Sequence, residues 1–188
     1  MVRDVLYHAL ISVLLYCGIL GFQEMQNHGQ GISSGAVNHH VDPAMISVLS
    51  LIPVGADDIH KVIRDSPGVV TLINVWATWC QPCREEMPDL LKVYREFRDR
   101  GISLILISGD FPEDSLEVKH FLQHLGVNFR TYIKSGRDMP FINALSPKWS
   151  GALPATFIYN QADSLVNYWE GKASYNEFVQ AINQVLHQ

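Results

Sequence analysis

Trp76-Ala77-Thr78-Trp79-Cys80-Gln81-Pro82-Cys83 decides how this chain is read. It sets two thiols a helical turn apart, directly after a run of strand formers, Val69-Val70-Thr71-Leu72-Ile73-Asn74-Val75. That run reads as a buried strand, and Arg84-Glu85-Glu86-Met87-Pro88 beyond it as the opening of a helix. At such a junction the unpaired backbone N–H groups and the helix dipole favour a thiolate over a thiol. The first cysteine can then fall from a pKa of about 8.5 into the range of roughly 3.5 to 7.5 and become a nucleophile near neutral pH. Cys80 is therefore expected to attack a disulfide, and Cys83, deeper in the helix, to resolve the mixed disulfide that forms. Pro82 suits the first turn, where its missing N–H would have had no partner.

Two plainer readings compete. A zinc site would need a full tetrahedral ligand set, and three cysteines and eight histidines offer no second pair at finger-like spacing. A purely structural disulfide would close so small a loop that it would constrain the unfolded chain very little.

With Glu86-Met87-Pro88 behind it, the segment resembles the active site of thioredoxin-like proteins, and more narrowly of the TlpA/ResA-like (DsbE-like) membrane-tethered thiol–disulfide oxidoreductases. A second marker, Gly151-Ala152-Leu153-Pro154-Ala155-Thr156-Phe157-Ile158, is similar to the family's cis-proline segment ahead of a strand. The resemblance runs from Ile46 to the C-terminus and is weakest before Val69. It implies a thioredoxin-like three-layer α/β sandwich: a central mixed β-sheet flanked by helices, with the longer middle segment of the TlpA/ResA-like branch. It implies that Pro154 and Trp79 face the substrate polypeptide. It also implies a disulfide reductase working on envelope proteins, for example in cytochrome c maturation, re-reduced by a membrane or periplasmic electron donor. The redox pair would be the only cofactor, with no metal, and the domain would be monomeric.

One position departs from ordinary thioredoxin. Its buried aspartate is replaced by Asn74, which accepts no proton at neutral pH. Glu86 matches the glutamate of the ResA-like Cys-x-x-Cys-x-x-Glu-x-Pro pattern, and burial would raise its pKa enough to shuttle protons to the thiols. Helix electrostatics alone would also place Glu85, Glu86 and Asp89 early and Lys92, Arg95, Arg98 and Arg100 late.

The remaining pattern supplies a scaffold. Met87, Leu90, Leu91, Tyr94 and Phe97 make one apolar stripe, and Gly101 closes the helix. Ile102 to Ile107 is too continuously apolar for a half-exposed strand and reads as a central parallel one. Pro112 to Leu125 reads as a helix with Leu116, Phe121, Leu122 and Leu125 inward, Val127 to Ile133 as a strand, and Met139 to Leu145 as a short helix. Ala155 to Tyr159 and Leu165 to Trp169 form a hairpin about a polar turn. Ser174-Tyr175-Asn176-Glu177 is a capping box ahead of a last helix carrying Phe178, Val179, Ile182, Val185 and Leu186 inward.

A net charge of −5 argues against a nucleic-acid surface, which needs clustered Lys and Arg. The apolar run Ala9 to Phe22 reads residues 1–22 as a signal peptide or membrane anchor, and residues 23–45, rich in Gly, Ser, Asn, Gln and His, as a flexible tether to a domain over 46–188. About 20 residues usually span a bilayer, so cleavage and anchoring both stay open. Cys17 follows Tyr16 rather than a small residue, which disfavours lipidation. Either arrangement places the domain outside the cytoplasm, in the periplasm or cell envelope, where disulfides form. His39-His40 and the His120/His124 pair read as solvated. Two other functions stay open: a thiol peroxidase, which would rely on a single cysteine, and a copper-delivery protein, whose cysteines would be spaced one residue wider.

Overall fold

A computed structural model describes residues 49–186; the leader, the tether, Cys17 and His39-His40 lie outside the described residues. Among the described residues no helix is long and apolar enough to cross a membrane.

The chain runs β1 (Leu51–Val54), α1 (Ile59–Arg64), β2 (Val70–Trp76), α2 (Gln81–Phe97), β3 (Ile102–Ser108), α3 (Ser115–His124), β4 (Thr131–Lys134), α4 (Asp138–Leu145), β5 (Ala155–Asn160), β6 (Leu165–Glu170) and α5 (Tyr175–Leu186). The six strands form one mixed sheet in the order β1-β4-β3-β2-β5-β6. β1, β4, β3 and β2 are parallel, β5 runs antiparallel to β2, and β6 antiparallel to β5. All seven residues of β2 and all seven of β3 are buried, as their unbroken apolar runs require of strands covered on both faces.

Because side chains alternate along a strand, β2 feeds two cores. Val70, Leu72 and Trp76 join Leu104, Leu106 and Ile158 beneath α2, α3 and α5. Ile73 and Val75 join Ile105, Ile107, Phe157 and Tyr159 beneath α1 and α4. The expected three layers and mixed sheet are therefore present, and the length between the two halves goes into α3 and β4, which enters the sheet between β3 and β1.

Local differences have local causes. α2 continues through Pro88 and ends at Phe97 in a short 3-10 turn, with Gly101 at φ 89° beyond it. Leu116 faces solvent and Val118 the core, because Val118 stands three and four residues before Phe121 and Leu122 on their helical face and Leu116 does not; the helix proper begins at Ser115 after a 3-10 turn over Pro112–Asp114. The strand expected from Val127 forms only from Thr131, although Val127 is buried. Only half the capping box forms: the Glu177 carboxylate accepts from the Ser174 backbone N–H, and the Ser174 hydroxyl donates to the same carboxylate, both at 2.7 Å. β1 and α1 lay where the sequence offered no strong pattern.

Gly68 packs where β3 begins. A Cβ there would stand 2.7 Å from both the Gly101 carbonyl oxygen and the Ser103 amide nitrogen, neither of which can yield cheaply. Gly68→Ala is expected to lower the unfolding free energy by about 2 kcal/mol, read as a lower urea midpoint at unchanged slope.

Candidate active site

The site gathers at one end of the sheet for topological reasons. β2 and β3 are parallel, so the segments leaving Trp76 and Ser108 emerge together. β5 is antiparallel to β2 with Val75 opposite Ala155, so Pro154 sits beside the exit from β2. β6 ends opposite the start of β5, bringing Gly171 to the same place, where its N–H donates to the Pro154 carbonyl at 2.8 Å.

Cys80 is the N-cap of α2, with φ −86° and ψ 100°, and its Sγ accepts from the Cys83 backbone N–H at 3.3 Å. The two cysteines are joined by a disulfide with an S–S distance of 2.08 Å. Cys83 is fully buried and Cys80 is 6% exposed, so the first cysteine is the one a partner reaches. Beside it Trp79 stands 68% exposed. The Leu153–Pro154 peptide bond is cis. A cavity of about 570 Å³ lies against the pair, lined by Thr78, Trp79, Gln81, Arg84, Glu85 and Phe121.

Glu86, 1% exposed, is the buried carboxyl of the site. Its Oε1 accepts from Asn74 Nδ2 and its Oε2 from the Ala173 backbone N–H, both at 2.8 Å. Burial raises its pKa from 4.5 to about 7, against the opposing pull of the Ala173 and Asn74 hydrogen bonds and the Lys172 charge. Its neighbour Glu85 points outward to Lys172 at 2.7 Å, and that hydrogen bond lowers the Glu85 pKa. The reading of Glu86 as a helix-dipole partner alone does not fit its place, since Glu85 is on the solvent side and Glu86 inside. Asn74 lies between Leu72 and Trp76 on the strand face covered by α2, which is why it meets Glu86.

Asp110, which the sequence reading missed, fixes the loop that carries the pair. It is 2% exposed; its carboxylate accepts from the Thr78 backbone N–H at 3.0 Å and from the Thr78 and Ser108 hydroxyls, each at 2.5 Å. The available signal was the polar Ser108-Gly109-Asp110 break at the carboxyl end of an apolar strand, where α/β sheets place their sites. Asp110→Ala strands the Thr78 N–H and is expected to cost about 3 kcal/mol, measured by urea unfolding of the oxidised protein.

The fold and site are those of a thioredoxin-like protein carrying a Cys-x-x-Cys pair. The model of the AhpC/TSA family matches residues 55–167, and the chain belongs to that family. It is 29% identical over 109 residues to the thiol-disulfide oxidoreductase ResA of Halalkalibacterium halodurans, covering 58% of each chain. It is 28% identical over 109 residues to the ResA of Bacillus subtilis, covering 58% of this chain and 57% of that one. The matched part thus spans less than two thirds of these relatives. A ResA of Bacillus thuringiensis subsp. konkukian is 20% identical over 185 residues, 98% of this chain and 99% of that one. In fold, the chain is similar to a thioredoxin-related protein from Neisseria meningitidis serogroup B, with a TM-score of 0.56 and 24% identity over 66% of this chain and 90% of that one. It is also similar to a thiol:disulfide interchange protein from Chlorobium tepidum TLS, with a TM-score of 0.54 and 23% identity over 64% of this chain and 81% of that one.

Proposed function

We propose that this protein is a thiol–disulfide oxidoreductase, working as a disulfide reductase on envelope proteins, apocytochrome c among them. The observation that carries the reading is the Cys80–Cys83 disulfide at the N-cap of α2, its first cysteine slightly exposed and its second fully buried. In the reduced protein the Cys80 thiolate attacks a substrate disulfide: an S–S bond forms to one substrate sulfur, and the other leaves as a thiolate. Cys83 then gives up its proton and attacks Cys80, which re-forms the internal disulfide and releases the second substrate thiolate. Glu86 takes the Cys83 proton, so the electron pair of the broken S–H bond stays on sulfur. Pro154 and Trp79 present the substrate segment. An electron donor at the membrane or in the periplasm restores the dithiol. The tether and apolar leader would hold the domain outside the cytoplasm, where substrate disulfides exist.

Equilibrating the protein with dithiothreitol and glutathione buffers tests the direction. A reductase is expected to lie near thioredoxin's potential of about −270 mV; a value near that of a strong oxidant, about −120 mV, would overturn it. Peroxide turnover by Cys83→Ser would instead favour a thiol peroxidase, since that chemistry needs only Cys80.

A further inference from the structure

Asn74 is fully buried, and its carboxamide is used unevenly. Both Nδ2 protons are engaged, one on Glu86 Oε1 at 2.8 Å and the other on Thr156 Oγ1 at 3.0 Å, whereas Oδ1 is buried without a hydrogen-bond partner. An amide with a spent donor edge and an idle acceptor edge matches one protonation state of its neighbour. An ionised carboxylate only accepts, so it takes the N–H edge. A protonated carboxyl must also donate.

The site fixes where that proton goes. Glu86 Oε2 faces the Ala173 backbone N–H, a donor that cannot be turned into an acceptor. Placed on Oε1, the oxygen facing Asn74, the proton meets a side chain that can turn to receive it. Thr156 sits directly opposite Asn74 in the β2–β5 pairing, and its hydroxyl accepts and donates equally well. If the Asn74 carboxamide turns over, Oδ1 accepts from Glu86 Oε1–H and from the Thr156 hydroxyl together. Turning over leaves the two N–H groups of the amide on the far edge where one carbonyl oxygen stood, a cost that the new bond from Oε1–H to Oδ1 has to offset.

The geometry points to Asn74 as a positioning residue that follows the proton on Glu86, donating to the ionised carboxylate and turning over to accept from the protonated carboxyl. It rests on the proposed role of Glu86 as the proton acceptor for Cys83, and it gives that role its two end states: each holds the carboxyl by Oε1 through the same side chain. The titratable and charged groups around Glu86 are Glu85, Asp89, Cys80 and Cys83 on and at the start of α2, Lys172 on the loop after β6, and Glu177 on α5; β2 and β5 present the neutral Asn74 and Thr156.

Nuclear magnetic resonance on the oxidised, isotope-labelled full chain tests this without turnover. The Asn74 side-chain amide and the Glu86 carboxyl carbon are expected to titrate with one midpoint. Contacts from the Asn74 Nδ2 protons to Thr156 are expected above the midpoint and lost below it. Persistence of those contacts through the whole Glu86 titration would overturn the proposal. Asn74→Leu gives a second reading, from the pH profile of Cys83-dependent turnover of a small disulfide. A residue serving both states alike should slow turnover by about tenfold with its midpoint little moved; a one-sided donor to the carboxylate would shift the midpoint up by about one pH unit, and that result would overturn the proposal. Turnover absent in the unsubstituted protein would count against the oxidoreductase reading and leave the resonance result standing.

Discussion

Replacing Cys83 with alanine is expected to turn the protein from a catalyst into a trap. Cys80 would still attack, but the mixed disulfide would have no internal thiol to resolve it. Well-placed intramolecular groups reach effective molarities of about 10⁵ M or more, so millimolar external thiol is a poor substitute and turnover should fall by roughly 10³-fold or more. Mass spectrometry after mixing with envelope extract should find substrate joined to Cys80, and Cys80→Ser should find none. The reading fails if Cys83→Ala keeps turning over at the unsubstituted rate, because the buried sulfur would then be a bystander.

Glu86→Gln should have the next largest effect, on stability as well as rate. The folded-state pKa is about 7 against an ordinary 4.5. Between those values the folded protein keeps a proton that the unfolded chain has lost, so stability is greatest below the lower value, falls as pH rises through the window and is level above it. Folding around this carboxyl should thus weaken by about 2.5 kcal/mol between about pH 5 and pH 8. In Glu86→Gln that slope should vanish, which urea unfolding at the two pH values would read; parallel losses in both proteins would sink the assignment. Resolution by Cys83 should also slow by about 10²-fold, the usual worth of a positioned acid or base.

The parts of this fold readable in advance were those where one face or one run forces the answer. β2 and β3 are apolar throughout because both their faces are covered, and nothing but a central strand suits such runs. Cys80 and Cys83 were legible because chemistry at a strand-to-helix junction needs those residues at that spacing. Glu86 was visible as a candidate, and its spacing four residues before Leu90 put it beside the apolar stripe, yet its full burial depends on the loop after β6, which closes over that side. Asp110 and Thr156 escaped because each is polar for a partner remote in sequence: Thr78 for the first, Asn74 for the second. Leu116 was misread because it lies five and six residues before Phe121 and Leu122, off their helical face, whereas Val118 has the three- and four-residue spacing that shares it.

The loop after β6 holds two neighbouring parts of the site by one short ruler. Gly171 holds the Pro154 carbonyl and Ala173 holds Glu86, with only Lys172 between them. The gap from Pro154 to Glu86 is therefore bridged by three consecutive residues, delivered by the β5–β6 hairpin with its register shift at Ile158/Tyr159. That outer hairpin ends in an edge strand with no fully buried residue, whose exposed positions such as Val166 tolerate exchange. The loop's length has no such freedom: a single residue inserted between Gly171 and Ala173 would put the contacts to Pro154 and Glu86 out of step while leaving every cysteine in place.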